Sequence, residues 1–292
     1  MRIGIHTSIA GSLERSAQKA AELGANTFQI FSSSPRQWKA SSLSIPAIRL
    51  LQRERELHDL RPLAIHDNYL INLAAASDAI RTQSIEAFRS ELERAIQIGA
   101  EFLIAHPGNY KGLSVEQGIF RFLDGVAAAA KSLKPGNLTL LVENTVGAGA
   151  QLGGRLEELH VMREFAPRMM DLPIGFCLDT CHLLASGYDV ATPKGLCDTV
   201  VEIDRLVGLN NVHVIHANDS KTPLGSHVDR HEHIGEGHIG KDGFRGILTH
   251  PELKTKAFIL ETPIDKEGDD KRNVDALKAL SKPVAVRQAR RA

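Results

Sequence analysis

The stretch from His213 to Gly240 reads HVIHANDSKTPLGSHVDRHEHIGEGHIG, and its first residues show the pattern that decides the fold. A short apolar run ends at His216, and a polar, glycine-rich segment with many histidine, aspartate and glutamate residues follows. Imidazole nitrogens and carboxylate oxygens are ligands that zinc accepts, and Asp229 and His231 would face one side of an extended backbone. The stretch therefore indicates a metal site. A surface loop that collects histidines by chance is the competing interpretation.

Short apolar runs of this kind recur along the whole chain with helical periodicity between them. Apolar residues at three- and four-residue spacings are typical of helices, and several of these segments close on glycine. Repeated strand-then-helix units predict an α/β fold, a closed (β/α)8 TIM barrel in a single domain over 1–281. The predicted strands are Ile3–Ile5, Thr27–Phe31, Leu63–Ile65, Phe102–Ala105, Leu138–Val142, Ile174–Leu178, Val212–Ile215 and Phe258–Leu260. The predicted helices include Gly11–Leu23, Ala79–Ile98, Val115–Leu133, Leu156–Phe165 and Pro193–Leu206.

Metal-capable residues stand at the ends of these apolar runs. His6 follows the first run, and the third to eighth runs are followed in order by His66, His106, Glu143, Asp179, His216 and Glu261. In a (β/α)8 barrel the carboxyl ends of the strands converge on one rim, where catalytic groups lie. Isolated polar residues that cap strands would explain one or two of these positions but not six in succession. We therefore expect the six residues to form one site.

Three further residues enlarge this set: His182, which lies three residues after Asp179 in LDTCH, and the pair Asp229 and His231. A single catalytic zinc uses about three protein ligands and keeps an open position. Five histidines and four carboxylates therefore suit a cluster of two or three ions rather than one. Three Zn²⁺ with four carboxylates and one hydroxide would leave about one positive charge, which favours an anionic substrate such as a phosphodiester.

Composition limits the remaining possibilities. The 292 residues include 35 basic and 35 acidic side chains, so the net charge gives no support for a polyanionic partner. Binding of a nucleic acid would have to come from local charge or from bound cations. No apolar run approaches the roughly 18 residues of a membrane span, and the amino terminus is typical of a strand rather than a leader. We therefore expect a cytoplasmic protein with no membrane partner.

The cysteines and the basic end of the chain are expected to have structural rather than functional roles. Three cysteines make a poor disulfide framework and suit a reducing compartment. Cys177 and Cys181 are expected to be small buried residues rather than a metal-binding pair. The segment 282–292 is predicted to be a solvated basic tail in preference to a DNA-binding arm.

Several longer segments resemble one known family. The segments CLDTCHLLASGYD, HANDSKTPLGSHVDRHEHIGEGHIG, HDNYLINLA, AHPGNY, VENTVGAGAQLG and LETP are similar to the signature segments of the endonuclease IV family of apurinic/apyrimidinic endonucleases, and the match runs from MRIGIHTS to LETP. The resemblance implies a barrel with three zinc ions that hydrolyses duplex DNA on the 5′ side of an abasic site through a metal-bound hydroxide. The implied products are a 3′-hydroxyl and a 5′ deoxyribose phosphate. We also expect the protein to be a monomer.

The resemblance divides the nine ligands among three zinc ions. The first ion would be held by His66, His106 and Glu143. The second ion would be held by Glu143, Asp179, His216 and Glu261. The third ion would be held by His182, Asp229 and His231. Glu143 and Glu261 are the expected catalytic carboxylates, and none of these assignments follows from spacing alone.

The loops after the second and third strands are expected to recognise the damaged DNA. The FSSSPRQWK loop carries Arg36 and the only tryptophan, Trp38, and the loop after His66 carries Tyr69 and Leu70. The resemblance implies that Arg36, Tyr69 and Leu70 insert at the abasic site and hold the flipped nucleotide. Unstacking an abasic site costs less than unstacking an intact pair, and apolar or aromatic wedges fill the gap. The alternative is that Trp38, Tyr69 and Leu70 pack as a lid on the barrel.

Two other classes of function fit parts of the pattern. A sugar isomerase or epimerase could share the barrel and the strand-end ligands with one divalent ion, but it would not need His182, Asp229 and His231 as a separate group. A non-catalytic DNA-binding module has no use for so many ligands. Metal stoichiometry distinguishes the first alternative from an endonuclease, and a nicking assay distinguishes the second.

Overall fold

Residues 1–40 and 42–282 are described by a computed structural model, and within them eight parallel strands close into a barrel. Each barrel strand pairs with the next one along the chain, and the last closes against the first. The barrel strands are β1 (Arg2–His6), β2 (Thr27–Phe31), β3 (Leu63–His66), β4 (Phe102–Ala105), β5 (Thr139–Glu143), β6 (Ile174–Asp179), β7 (Val212–His216) and, after the two short strands β8 (Asp219–Ser220) and β9 (His231–Glu232), β10 (Ala257–Leu260). The predicted TIM barrel is confirmed.

Helices follow the barrel strands and pack around the sheet. They are α1 (Leu13–Glu22), α2 (Ile45–Leu57), α3 (Asp78–Ile98), α4 (Val115–Ala130), α5 (Leu156–Met169), α6 (Thr180–Ser186), α7 (Pro193–Leu206), α8 (Gly240–Thr249) and α9 (Asp269–Leu280). The five predicted helical segments correspond to α1, α3, α4, α5 and α7. The structure adds α2, α6, α8 and α9, which the apolar spacing did not bring out.

Polar side chains cap several of these helices. The Ser44 side chain accepts a hydrogen bond from the backbone N–H of Ala47 at the start of α2, and a proline occupies the first turn. Ser114 and Gln117 form a reciprocal capping box at the start of α4. Each cap satisfies a backbone N–H that has no partner within the helix, which fixes where the helix begins.

Alternation along the strands positions the predicted ligands. An apolar layer inside the barrel is formed by Ala64, Ile104, Leu141, Cys177, Val214, Ala257 and Ile259. Because side chains alternate between the two faces of a strand, residues two positions after members of this layer also point inward. Those residues include His66, His106, Glu143, Asp179, His216 and Glu261. The predicted strand-end ligands therefore form the uppermost layer of the barrel interior.

The structure bears on some of the other predictions from composition. Cys177 and Cys181 are buried, as expected, and burial raises the pKa of both thiols to about 12. No helix among the described residues has the length and apolar character to cross a membrane. The predicted basic tail, 282–292, lies outside the described residues except for Lys282, so it stays a prediction.

We expect Gly4→Ala to destabilise the barrel. A Cβ at Gly4 would lie 1.8 Å from the backbone oxygen of Thr27 on the neighbouring strand β2, so β1 and β2 would have to move apart. The free energy of unfolding should fall by about 3 kcal/mol, the upper part of the usual range for overpacking. Denaturant unfolding followed by circular dichroism measures this change.

Gly246→Ala in α8 is the matched control. A Cβ there meets only the end of the Leu196 side chain, at 3.1 Å, and alanine is favoured over glycine inside a helix by about 0.5–1 kcal/mol. Its stability should be unchanged or slightly higher. Equal stability of the Gly4→Ala protein and the parent would contradict the close approach of β1 and β2.

Candidate active site

Glu143 lies at the centre of the rim, and its two carboxylate oxygens face different groups of side chains. Oε2 lies 3.3 Å from Nε2 of His66 and 3.7 Å from Nε2 of His106. Oε1 lies 2.8 Å from Nδ1 of His216. The side chain is only 1% exposed. One buried carboxylate therefore connects two groups of candidate ligands.

The nine predicted ligands fall into three groups, and the ligand atoms within each group lie within 4.8 Å of one another. The first group is His66, His106 and Glu143. The second group is Glu143, Asp179, His216 and Glu261. The third group is His182, Asp229 and His231. These three groups contain all nine ligands that the sequence predicted, and each group could hold a metal ion.

The third group lies next to the second. Asp229 bridges its two imidazoles, with Oδ2 at 3.3 Å from Nε2 of His182 and Oδ1 at 3.4 Å from Nε2 of His231. Nε2 of His231 is also 3.6 Å from Oδ2 of Asp179. Asp179 thus joins the second and third groups as Glu143 joins the first and second.

The spacing of Asp179 and His182 has a local structural cause. Asp179 is the last residue of β6 and also the N-cap of α6, and its Oδ1 accepts a hydrogen bond from the backbone N–H of His182 at 2.8 Å. Aspartate is a favoured N-cap because its carboxylate satisfies an N–H in the first turn. The motif LDTCH therefore turns the chain from strand to helix and brings both side chains to the rim.

Asp229 and His231 depend on the loop after β7, which a buried aspartate organises. Strands β8 and β9 pair within this loop, with Ser220 opposite His231. The Asp219 carboxylate is fully buried and accepts hydrogen bonds from several backbone N–H groups, including those of Gly235 (2.9 Å) and Ile239 (2.9 Å). No role for Asp219 could be predicted from the sequence. Its only signal was an aspartate close to a glycine-rich segment.

Hydrogen bonds to oxygens that are not themselves candidate ligand atoms orient four of the imidazoles. These bonds join Nδ1 of His66 to the backbone oxygen of Asp67 (3.0 Å), Nδ1 of His182 to that of Asn144 (2.9 Å), Nδ1 of His231 to that of Glu261 (3.0 Å), and Nε2 of His216 to Oε1 of Gln29 (2.8 Å). An imidazole that donates one N–H to an oxygen has its other nitrogen available as a ligand. In each of the four rings the other nitrogen faces a candidate group.

Burial and neighbouring charges shift the pKa values of these side chains. Burial disfavours the charged form of Glu143, but the imidazoles of His216 and His106 hold the pKa of this carboxyl well below its ordinary value. Burial raises the pKa of Asp179 and lowers that of His106 to about 4. Burial also opposes protonation of His66, but its contact with Glu143 raises the pKa to about 9. The site is thus a buried space in which carboxylates need positive neighbours.

Two orphaned ring nitrogens test whether a metal ion fits this space. Nε2 of His182 and Nε2 of His231 are buried and form no hydrogen bond within the described residues, although Asp229 oxygens lie 3.3 and 3.4 Å from them. Buried polar atoms without a partner are rare, and each needs a physical explanation. A metal ion held by the third group would bind both nitrogens, and histidine with carboxylate is a usual donor set for zinc. The residues present therefore fit a metal ion.

A cavity of about 270 Å³ opens beside the candidate ligands. His106, His182 and Asp229 line one part of it, and Asn109 lines another. The side-chain amide of Asn72 exchanges two hydrogen bonds with the backbone of Asn109, at 3.0 and 2.9 Å. The loops after β3 and β4 therefore form one wall, and a substrate can reach the first and third groups through this cavity.

The predicted DNA-binding residues are on the loops after β2 and β3. Tyr69 is 60% exposed, although its ring packs edge-on against Phe31 with 5.1 Å between the centroids. Arg36 is exposed and Leu70 is half-buried. Trp38 is half-buried and packs against the hydrophobic core. The alternative of a lid that packs on the barrel therefore fits Trp38 better than it fits Tyr69.

Asn68, which received no role from the sequence, joins these two loops. Its buried side chain donates to the backbone oxygen of Ser34 at 3.4 Å and accepts from the backbone N–H of Leu70 at 2.8 Å. The backbone N–H of Tyr69 donates to the backbone oxygen of Pro35 at 3.2 Å. The loops that carry Arg36, Tyr69 and Leu70 are thus connected by several hydrogen bonds.

The chain is similar to one broad class of TIM-barrel proteins and, within that class, to one family. Residues 17–282 match the family described as Xylose isomerase-like TIM barrel. Over 281 residues the chain is 57% identical to the probable endonuclease 4 of Solibacter usitatus (strain Ellin6076), a match that covers 96% of this chain and 97% of that one. The crystal structure of endonuclease IV from Thermus thermophilus has a TM-score of 0.84 and 37% identity, and the match covers 96% and 98% of the two chains. The chain belongs to the endonuclease IV family, as its motifs predicted.

Sugar epimerases are similar to this chain in fold alone. The crystal structure of a D-tagatose 3-epimerase-like protein has a TM-score of 0.70 at 19% identity, and the match covers 96% of this chain and 97% of that one. This likeness identifies the barrel and carries no information about the substrate. The assignment of each ligand to an ion, and the insertion of Arg36, Tyr69 and Leu70 into DNA, stay predictions.

Proposed function

We propose that this nuclease of the endonuclease IV family is a DNA repair enzyme that hydrolyses the phosphodiester bond on the 5′ side of an abasic site in duplex DNA. The products would be a 3′-hydroxyl and a 5′ deoxyribose phosphate. The observation that carries the proposal is the clustering of nine histidine and carboxylate side chains in three adjoining groups at the barrel rim. Incubation of the purified protein with a duplex oligonucleotide that has one abasic site, followed by identification of both product ends, tests the proposal.

Three zinc ions per molecule would match the three groups, with Glu143 shared by the first two. Zinc supplies Lewis-acid stabilisation of phosphate oxygens and a water that is activated at neutral pH. Three divalent ions bring six positive charges against four carboxylates, so the filled site would attract a phosphodiester although the formal net charge of the chain is zero. This local charge supports binding of duplex DNA at the rim.

Glu143 and Glu261 have separate tasks in this proposal. The two oxygens of Glu143 face the first and second groups, so this carboxylate sets the distance between them. Oε2 of Glu261 lies 3.3 Å from Nδ1 of His216 and would complete the second group. Neither carboxylate belongs to the apolar layers that hold strands and helices together. Their contribution is therefore to the site rather than to the fold.

The loops after β2 and β3 would select the abasic site. Tyr69 presents an exposed aromatic ring, and exposed apolar groups of this kind are typical of binding surfaces. The Tyr69 ring and the Leu70 side chain could fill the gap where a base is missing, while Arg36 contacts the DNA strand. The hydrogen bonds of Asn68 support this role because they hold the three residues on connected loops.

We expect the purified protein to carry close to three transition-metal ions per molecule, mostly zinc, because the nine ligands form three groups that leave positions for solvent and substrate. Elemental analysis after dialysis measures the content directly. A reproducible value of one ion per molecule, with no gain on zinc addition, would instead favour a sugar isomerase.

Glu143→Gln should remove most of the incision activity while the fold survives. The glutamine side chain has one oxygen and one NH₂ nitrogen, so it cannot present an oxygen ligand to both groups. Single-turnover incision should fall by more than about 100-fold, beyond the range that is usual for residues that only orient ligands. Thermal unfolding of the metal-free variant should match that of the parent.

Glu86→Gln, an exposed change on α3, is the matched control for Glu143→Gln and should leave both incision and unfolding unchanged. Near-normal incision by a folded and metal-loaded Glu143→Gln protein would remove Glu143 from the centre of the proposed site.

The double change Tyr69→Ala and Leu70→Ala should weaken binding of abasic duplex but leave the metal content unchanged. Stacking of an aromatic side chain on a base is worth about 1–3 kcal/mol. At about 1.4 kcal/mol per factor of ten, the dissociation constant should rise roughly tenfold to a few hundredfold. Binding curves and single-turnover incision at saturating protein, both at one fixed salt concentration, separate binding from the chemical step.

Leu57→Ala, on the outer helix α2, is the control for removal of a leucine side chain at a surface away from the rim and should not change DNA binding. If the double variant bound abasic duplex as tightly as the parent, Tyr69 and Leu70 would be a hydrophobic lid on the barrel.

A further inference from the structure

Gln29 is a buried amide at the level of the candidate ligands, and neither the sequence pattern nor the family resemblance gave it a role. It lies on β2, whose carboxyl end supplies none of the nine predicted ligands. The Gln29 side chain is fully buried, and it is polar whereas the neighbouring positions of the strand are apolar. A buried amide costs free energy unless it is hydrogen-bonded, so its partners indicate its role.

The Gln29 amide contacts three ionisable side chains at once. Nε2 lies 2.6 Å from Oε1 of Glu261 and 3.0 Å from Nδ1 of His6. Oε1 lies 2.8 Å from Nε2 of His216. Two of these partners, Glu261 and His216, belong to the second group of candidate ligands. The amide therefore contacts half of that group.

Donor and acceptor roles at these contacts follow from elementary chemistry. An ionised carboxylate only accepts hydrogen bonds, so the Gln29 atom that faces Glu261 must be the NH₂ nitrogen. The amide oxygen then faces Nε2 of His216, and this nitrogen must carry a proton. The other ring nitrogen of His216, Nδ1, is consequently the one left to bind a metal, and it lies 2.8 Å from Glu143 and 3.3 Å from Glu261.

The orientation of the His216 ring is the reverse of that of three other candidate ligands. His66, His182 and His231 each use Nδ1 to bond a backbone oxygen and turn Nε2 toward their group. His216 turns Nδ1 toward its group and directs Nε2 across the barrel interior. Backbone oxygens of barrel strands are used in the sheet, so a side chain has to supply the acceptor there.

The same amide also distinguishes the two oxygens of Glu261. Oε1 accepts the hydrogen bond from Gln29, whereas Oε2 faces His216 Nδ1 at 3.3 Å. A hydrogen bond to one oxygen limits rotation of the carboxylate and leaves the other oxygen for a ligand role. One amide thus orients a nitrogen ligand and an oxygen ligand of the same group.

We propose that Gln29 is a positioning residue for the ion held by the second group, because it fixes the tautomer of His216 and selects the oxygen of Glu261 that faces this ion. The inference rests on the proposed metal site. It differs from a purely structural role for Gln29, which would change the stability of the barrel without affecting one ion more than the others.

Zinc titration of the metal-free protein against a competing chelator tests the proposal. Gln29→Met keeps the length of the side chain and removes its hydrogen bonds. We expect one ion per molecule to bind roughly 10–100-fold more weakly than in the parent, the usual effect of losing a residue that orients metal ligands, while the other two keep their affinities. Cobalt(II) titration should give the same result, with the absorption of one ion appearing only at higher metal concentration.

A second variant and a matched control complete the experiment. Gln29→Glu can still accept from His216 but places a carboxylate against Glu261, so it should weaken the same ion at least as much as Gln29→Met. It also decides the question alone if Gln29→Met does not fold. Gln52→Met, an exposed change on α2, should bind all ions as the parent does.

The outcomes separate this inference from the proposed function. Parental affinity for every ion in both Gln29 variants would overturn the positioning role. Equal weakening of all ions, together with lower thermal stability of the metal-free protein, would also overturn it and indicate a structural role. A parent protein that binds no zinc would overturn the proposed function itself.

Discussion

Glu143 keeps its negative charge inside the barrel because imidazoles face both of its oxygens, and the rest of the site depends on this contact. Its Oε1 is 2.8 Å from His216, and its Oε2 is 3.3 Å from His66. Removing one carboxylate from water costs several kcal/mol, which close opposite charges have to offset. Imidazolium groups supply these charges in the absence of a metal ion. A cation in the same space would replace them and turn each histidine from a proton carrier into a ligand.

The closed barrel makes this arrangement possible through strict alternation of side chains. Leu141 and Cys177 lie in the apolar interior layer, and Glu143 and Asp179 follow two positions later on the same strands. A shift of one residue in the register of β5 would replace Glu143 with Val142, which faces the helices. The apolar layer that stabilises the barrel and the polar layer that forms the site are therefore fixed by the same hydrogen-bonded ladders.

The amount that the sequence could predict depends on how local each feature is. Strands and their terminal ligands, such as His66 and Glu143, were predictable because an apolar run and the residue after it are adjacent in the chain. Gln29 was not, because its partners His216 and Glu261 are close only after the barrel closes. The roles of Asn68 and Asp219 were not predictable for the same reason, since their hydrogen bonds join loops or distant backbone groups. The α6 cap lies between these cases, because the LDTCH motif contains its N-cap aspartate.

The third group has a different structural origin from the other two, because its residues do not come from the ends of the barrel strands. The first and second groups come from strand ends, which the fold brings together in any (β/α)8 barrel. His182 comes from α6, and Asp229 and His231 come from the loop that Asp219 organises after β7. The barrel strands supply the strand ends, whereas the start of α6 and the loop after β7, with the buried Asp219 carboxylate at its base, supply the third group. The residues that extend a strand-end site to a third group are therefore those of the α6 start and the Asp219 loop.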